Sequence, residues 1–197
     1  SKANMFAHQN EHDIAIYFAD DTTSHTIASK SPGDKIAYYD EPGAYIHNGK
    51  VMIDQTILCK TDELKLLGKH NWQNVCAAVT AVWQVTQAPD AIRKVLTTFA
   101  GLPHRLEFIR EANGIKFYND SFASDPYATE AAIKAVPGKK ILILGGADKR
   151  KLPLGALAKT IHEYHRDIPA IILIGESAKR LATALKNVGF MDFHLSP

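Results

Sequence analysis

A chain of 197 residues in which 46% are hydrophobic has enough apolar mass for one large or two modest globular domains. Its 23 Lys plus Arg nearly balance 21 Asp plus Glu, which provides no polyanion-binding surface and predicts no nucleic-acid partner. No apolar run approaches the ~20 residues that span a bilayer, and residues 1–13 lack the apolar core of a signal peptide, so no membrane partner and a cytoplasmic location are expected.

In chain order, residues 1–6 read like the last turns of a helix that began elsewhere. Residues 14–19 alternate and end at Asp20 and Asp21, predicting a strand and then a helix start over 22–29. Short apolar pieces at 36–39, 44–47 and 51–53, punctuated by Pro42-Gly43 and Asn48-Gly49, predict a small β-meander. Residues 65–69 read as linker. Asn71 is placed to cap a periodic helix through about residue 85, with Val75, Val79 and Val82 on one apolar stripe, and Pro89 opens a second helix to residue 99. Cys59 and Cys76 have no zinc or disulfide spacing and read as reduced packing residues. A domain boundary is placed near Gly101.

Phe108-Ile109 and residues 115–118 then read as two strands joined at Asn113-Gly114, the dipeptide that best tolerates a tight hairpin turn. Arg105 enters this hairpin and Asp120 leaves it. Held at one end, they could grip a phosphate and a ribose hydroxyl, or simply close the hairpin as an ion pair. Beyond it, residues 123–136 are helical, 140–144 a buried strand stopped by Gly145-Gly146, 154–164 a helix, 170–174 a buried strand and 178–188 a helix. Alternation with short Gly-marked joints predicts a parallel α/β sheet.

Ligands collect beyond the carboxyl ends of parallel strands. Asn119-Asp120-Ser121 follows one predicted strand and the 145–149 segment another, where Lys149 could hold a carboxylate or phosphate; the glycines also suit an ordinary turn. Asn71 and Asn74 put two amides three residues apart, able to meet a base edge or to serve as a cap and a surface amide. His162 and His165 share a helix face without a metal-ligand pattern. No G-x-x-x-x-G-K-[ST] or G-x-G-x-x-G motif occurs.

GKHNWQN at 68–74, GLPHRLE at 101–107, FYNDSFAS at 117–124 and LGGADK at 144–149 resemble, in order and spacing, the Mur ligase family, and within it the members that add D-glutamate. SKANMF followed by IYFADD fits the second half of that family's central domain. The resemblance implies an α/β chain: the end of a central ATPase domain of mixed strands and helices over 1–101, then a Rossmann-like parallel-sheet carboxyl-terminal domain over 102–197, truncated before its end. It implies an ATP- and Mg²⁺-dependent, monomeric amide ligase of peptidoglycan precursor synthesis, joining D-glutamate to UDP-N-acetylmuramoyl-L-alanine through an acyl phosphate.

Residue by residue, the resemblance assigns Asn71 and Asn74 to adenine, Arg105 to the phosphates and Asp120 to the ribose. Ser124, where the family usually has threonine, and Lys149 are assigned to D-glutamate, with Lys149 also catalytic. Lys2 matches a lysine that the family carbamylates, an anion supporting Mg²⁺. Phe122 stands where the family usually has lysine. The family's GTNGKT phosphate loop is not in this sequence, so the chain alone is expected to be inactive. The alternatives are a Mur-family ligase for another amino acid, including a folylpolyglutamate synthase-like one, and a non-catalytic nucleotide-binding module of the same fold.

Overall fold

The computed structural model describes residues 3–148 and 150–196. The chain divides into two compact units, Ser1–Gly101 and Leu102–Pro197.

In the first unit a short helix α1 (Asn4–Ala7) precedes a β-α-β element: β1 (Ile14–Phe18), α2 (Thr22–Ala28) and β2 (Asp34–Tyr38). Asp21 starts α2 as expected, its carboxylate accepting the Thr23 and Ser24 N–H groups. β2 runs parallel to β1, with Ile14 opposite Asp34. The 36–39 piece therefore does not belong to a meander; a connecting helix makes a parallel crossover possible, and Tyr39 then turns away at φ 72°. The antiparallel sheet is instead β3 (Tyr45–His47), β4 (Lys50–Ile53) and β5 (Thr56–Lys60). β5 escapes the sequence reading because its hairpin turns on Asp54-Gln55, which takes φ 46° and 59° without the glycine that usually marks such a turn.

The helix α3 (Lys69–Trp83) packs on β1 to β4, and α4 (Pro89–Thr98) on β5. Gly68, not Asn71, occupies the α3 cap. The apolar stripe is Val75, Cys76, Val79 and Trp83, buried with Val51, Ile53, Leu58 and Ile92, whereas Val82 is exposed. Inside this core Thr80 Oγ1 donates to the Cys76 carbonyl at 2.7 Å and accepts the Ala44 N–H at 2.8 Å. Thr80→Val keeps the shape but strands a buried N–H, so unfolding free energy should fall by about 1–3 kcal/mol. Urea unfolding of the two chains checks this; a change within experimental error would mean that Ala44 finds another acceptor.

Burial raises both thiols of this core, Cys59 from an ordinary 9.0 to about 11 and Cys76 to about 12. The neutral thiol is the form the fold favours. Its contribution to stability is complete below the unfolded value of 9.0 and is lost as pH rises through 11 to 12. At pH 8 a thiol-disulfide reagent should leave both cysteines unmodified in the folded chain and titrate both in urea. Rapid labelling of either under native conditions would contradict their packing role.

The second unit opens with the antiparallel hairpin β6 (Glu107–Ala112) and β7 (Ile115–Asn119), turning at Asn113 (φ 52°) and Gly114 (φ 75°) as the dipeptide predicts. Then come α5 (Pro126–Ala135), β8 (Ile141–Gly145), α6 (Gly155–Glu163), β9 (Ala170–Ile174), α7 (Ala178–Asn187) and β10 (Phe193–Leu195). β8, β9 and β10 form a parallel sheet in the order β10-β9-β8. Ile171 and Leu173 of the middle strand are fully buried with Ile133, Ile161, Ile168 and Leu185. β8 is not buried on both faces: Leu142 and Leu144 pack on this core, but Ile141 and Ile143 are 64% and 66% exposed. The helix α5 starts later than the 123–136 pattern predicts, at Pro126 behind an Asp125 cap, so Ser124 precedes it.

Candidate active site

Among the described residues β7 pairs only with β6, so Asn119-Asp120-Ser121 does not extend a strand of the parallel sheet, contrary to the sequence reading. It is instead wrapped by the segment that precedes β6. The Leu106 N–H donates to Asp120 Oδ1 at 2.8 Å, and the Phe122 N–H to the His104 carbonyl at 2.9 Å. Asn119 Nδ2 lies 2.8 Å from His104 Nδ1, and Glu107 accepts the His104 N–H at 2.7 Å.

These bonds hold His104 at φ 63° and Leu106 at φ 45°, a left-handed backbone on both sides of Arg105 that side chains rarely adopt. The Arg105 guanidinium sits 5.7 Å from the centre of the Phe122 ring, which is 66% exposed. Arg105 precedes β6 and Asp120 follows β7, so both flank the open end of the hairpin, where Glu107 pairs with Asn119. Arg105 lies over an aromatic face, and Asp120 accepts a backbone N–H.

The second cluster is the loop between β8 and α6. Gly145 (φ 141°) and Gly146 (φ 122°) let it leave the sheet beside β9, and the Gly146 N–H donates to the Ile174 carbonyl at 3.1 Å. Arg150 then reaches back to the first cluster, its Nη2 donating to the Ser124 carbonyl at 2.7 Å and lying 3.4 Å from the Ser124 hydroxyl. Arg180 of α7 donates to both Asp148 oxygens at 2.7 and 2.5 Å. Arg150 thus links the β8–α6 loop to Ser124, and Arg105, Asp120 and Ser124 all belong to the second unit. Lys2 and Lys149 themselves lie outside the described residues.

Sequence reasoning misses Arg150 and Arg180. Arg150 sits in a Lys-Arg-Lys run that looks like a solvated turn, and Arg180 on an amphipathic helix face; only the fold shows what each reaches. Asn71 and Asn74 belong to the first unit. Asn71 Nδ2 donates to the Leu67 carbonyl at 2.7 Å and Asn74 Nδ2 to Asn71 Oδ1 at 3.1 Å, a short amide chain at the start of α3. Asn71, Asn74, Arg105, Asp120 and Ser124 are not among the described residues lining the open groove of about 570 Å³, which includes Lys50, Lys60, Asp62, Glu63 and Arg93. The described residues contain no group of three or more His, Cys, Asp or Glu able to hold a metal ion.

Residues 1–82 match the Mur ligase middle domain and residues 104–195 the Mur ligase glutamate ligase domain. The chain belongs to the Mur ligase family. It is 34% identical over 193 residues to the UDP-N-acetylmuramoylalanine--D-glutamate ligase of Clostridium kluyveri, an alignment covering 95% of this chain and 41% of that protein. The chain therefore spans about two fifths of the length of the curated relatives it matches.

Among solved structures, the UDP-N-acetylmuramoylalanyl-D-glutamyl-2,6-diaminopimelate--D-alanyl-D-alanyl ligase of Acinetobacter baumannii superposes with a TM-score of 0.73 at 18% identity. It covers 98% of this chain and 44% of that one. A MurF ligase from Thermotoga maritima in complex with ADP gives a TM-score of 0.65 at 15% identity, covering 100% of this chain and 47% of that one. Both share the fold.

Proposed function

We propose that this chain is the middle and carboxyl-terminal part of an ATP-dependent ligase that joins D-glutamate to UDP-N-acetylmuramoyl-L-alanine in peptidoglycan precursor synthesis. The observation that carries the reading is similarity to D-glutamate ligases along 95% of the chain. A carboxylate is a poor electrophile. In the proposed reaction its oxygen attacks the terminal phosphorus of ATP and ADP leaves; the D-glutamate amine then attacks the acyl carbon, loses a proton, and the tetrahedral intermediate expels phosphate. Such chemistry depends chiefly on positioning and on offsetting charge.

In this reading Arg105 offsets phosphate charge, Asp120 meets the ribose and the amides of Asn71 and Asn74 meet adenine. The Thermotoga MurF ligase, solved in complex with ADP, supports a nucleotide partner for the fold. Ser124 and Lys149 take the D-glutamate carboxylates. The family implies Mg²⁺, and the carbamate proposed for Lys2 is this chain's contribution to it. A nucleotide-linked substrate and ATP suit a cytoplasmic enzyme, and no described helix is long and apolar enough to cross a membrane.

The test is phosphate release by a full-length ligase carrying these two units, assayed with ATP, UDP-N-acetylmuramoyl-L-alanine and a panel of amino acids. D-Glutamate should be used best. Preference for another amino acid would move the chain to a different branch of the family, and no release with any would favour a non-catalytic nucleotide-binding module.

A further inference from the structure

We infer that Arg180 is a positioning residue for the proposed D-glutamate subsite, holding the β8–α6 loop in the path that brings Arg150 onto Ser124. The identity of the ligand rests on the proposed function; the clamp rests on geometry. One Arg180 nitrogen donates to both oxygens of Asp148, and the other to the carbonyls of Leu152 at 2.9 Å and Lys151 at 3.3 Å. The guanidinium thus holds Asp148 together with Lys151 and Leu152.

The start of α7 completes the hold. Glu176 accepts the Asp148 N–H at 3.2 Å, and the Ser177 N–H donates to the Gly146 carbonyl at 3.1 Å. An ion pair that merely stabilised the fold would need only Asp148, whose side chain is 13% exposed against 39% for Arg180. The two carbonyl bonds add nothing to charge pairing. They tie Lys151 and Leu152 to α7 as well, beside Arg150, which reaches the Ser124 carbonyl. Lysine keeps the charge but, as a point donor, lacks the planar fork that spans a carboxylate and two carbonyls.

The test uses the 197-residue chain labelled with ¹⁵N, as wild type, Arg180→Lys and Asp148→Asn. Amide exchange is followed over residues 146–152 and at Ser124, and D-glutamate is titrated by amide shift. In Arg180→Lys, loop exchange and the D-glutamate dissociation constant should each rise by about tenfold or more, with the Ser124 amide shifted. Exchange elsewhere in β9 and α7 should stay as in wild type.

Unchanged loop exchange overturns the clamp. Faster loop exchange with unchanged D-glutamate affinity also overturns the inference, leaving a structural contact only. If the wild-type chain takes up no D-glutamate, the D-glutamate subsite part of the inference is overturned for this chain, the exchange and Ser124 readouts decide the clamp, and the full-length assay separately decides the proposed function. Should Arg180→Lys fail to fold, Asp148→Asn gives the same measurements with the charge removed and the carboxamide oxygen kept as an acceptor.

Discussion

Arg105→Ala in a full-length ligase carrying these units is expected to lower D-glutamate-dependent phosphate release by about a hundredfold or more, the scale of losing one preorganised donor to developing charge. The fold should hardly notice. Arg105 is exposed, and its guanidinium lies over the Phe122 ring. The unusual backbone around it is held by other groups: Leu106 on Asp120, Phe122 on His104 and His104 on Glu107. Thermal unfolding should therefore shift little, as for most surface substitutions away from special features. Near-normal turnover would return Arg105 to a purely structural role. Phe122→Leu separates the two parts of the effect, because it removes the ring and keeps the cation; an intermediate loss of rate is expected if the aromatic face helps to aim the guanidinium.

Gly145→Ala is expected to cost about 2–5 kcal/mol of stability in the second unit, combining strain in a left-handed backbone with overpacking. Gly145 adopts φ 141° and lies opposite Ile174 in the β8–β9 register. A Cβ there would stand 1.8 Å from the Ile174 carbonyl oxygen. A backbone oxygen cannot swing aside as a side chain can, so the end of β8 must separate from β9. Gly146→Ala provides the contrast. Its φ of 122° also disfavours a side chain, but no atom lies within 4 Å of the added carbon, so strain acts alone. Denaturant unfolding should rank wild type above Gly146→Ala above Gly145→Ala. Equal loss in the two variants would mean that the close approach to β9 is relieved at no cost.

Much of the secondary structure was legible because its signals are local. Asn113-Gly114 announces a hairpin, Asp21 and Pro89 announce helix starts, and the apolar 170–174 run announces a core strand, each through steric or hydrogen-bonding preferences of a few adjacent residues. What misled was pairing. The 36–39 piece looks the same whether its partner is antiparallel or parallel, and Asp54-Gln55 conceals a hairpin whose turn is enforced by burial of Leu58 and Cys59 beneath α3 and α4. Likewise β8 alternates in exposure because only one of its faces packs on the core, which a run of aliphatic residues does not reveal.

The candidate site divides along the same line. Sequence alone determined the family through motif order and spacing, and through that resemblance put forward Arg105, Asp120, Ser124, Asn71, Asn74, Lys2 and Lys149 as candidates. Only the tertiary structure decided that Asp120 secures the backbone beside Arg105, that Phe122 lies under the guanidinium, and that Arg150 and Arg180 tie the loop after β8 to Ser124 and α7. Those contacts join residues 14 to 32 positions apart, and a side chain's partner at that range is set by how strands and helices pack, not by its neighbours in the chain.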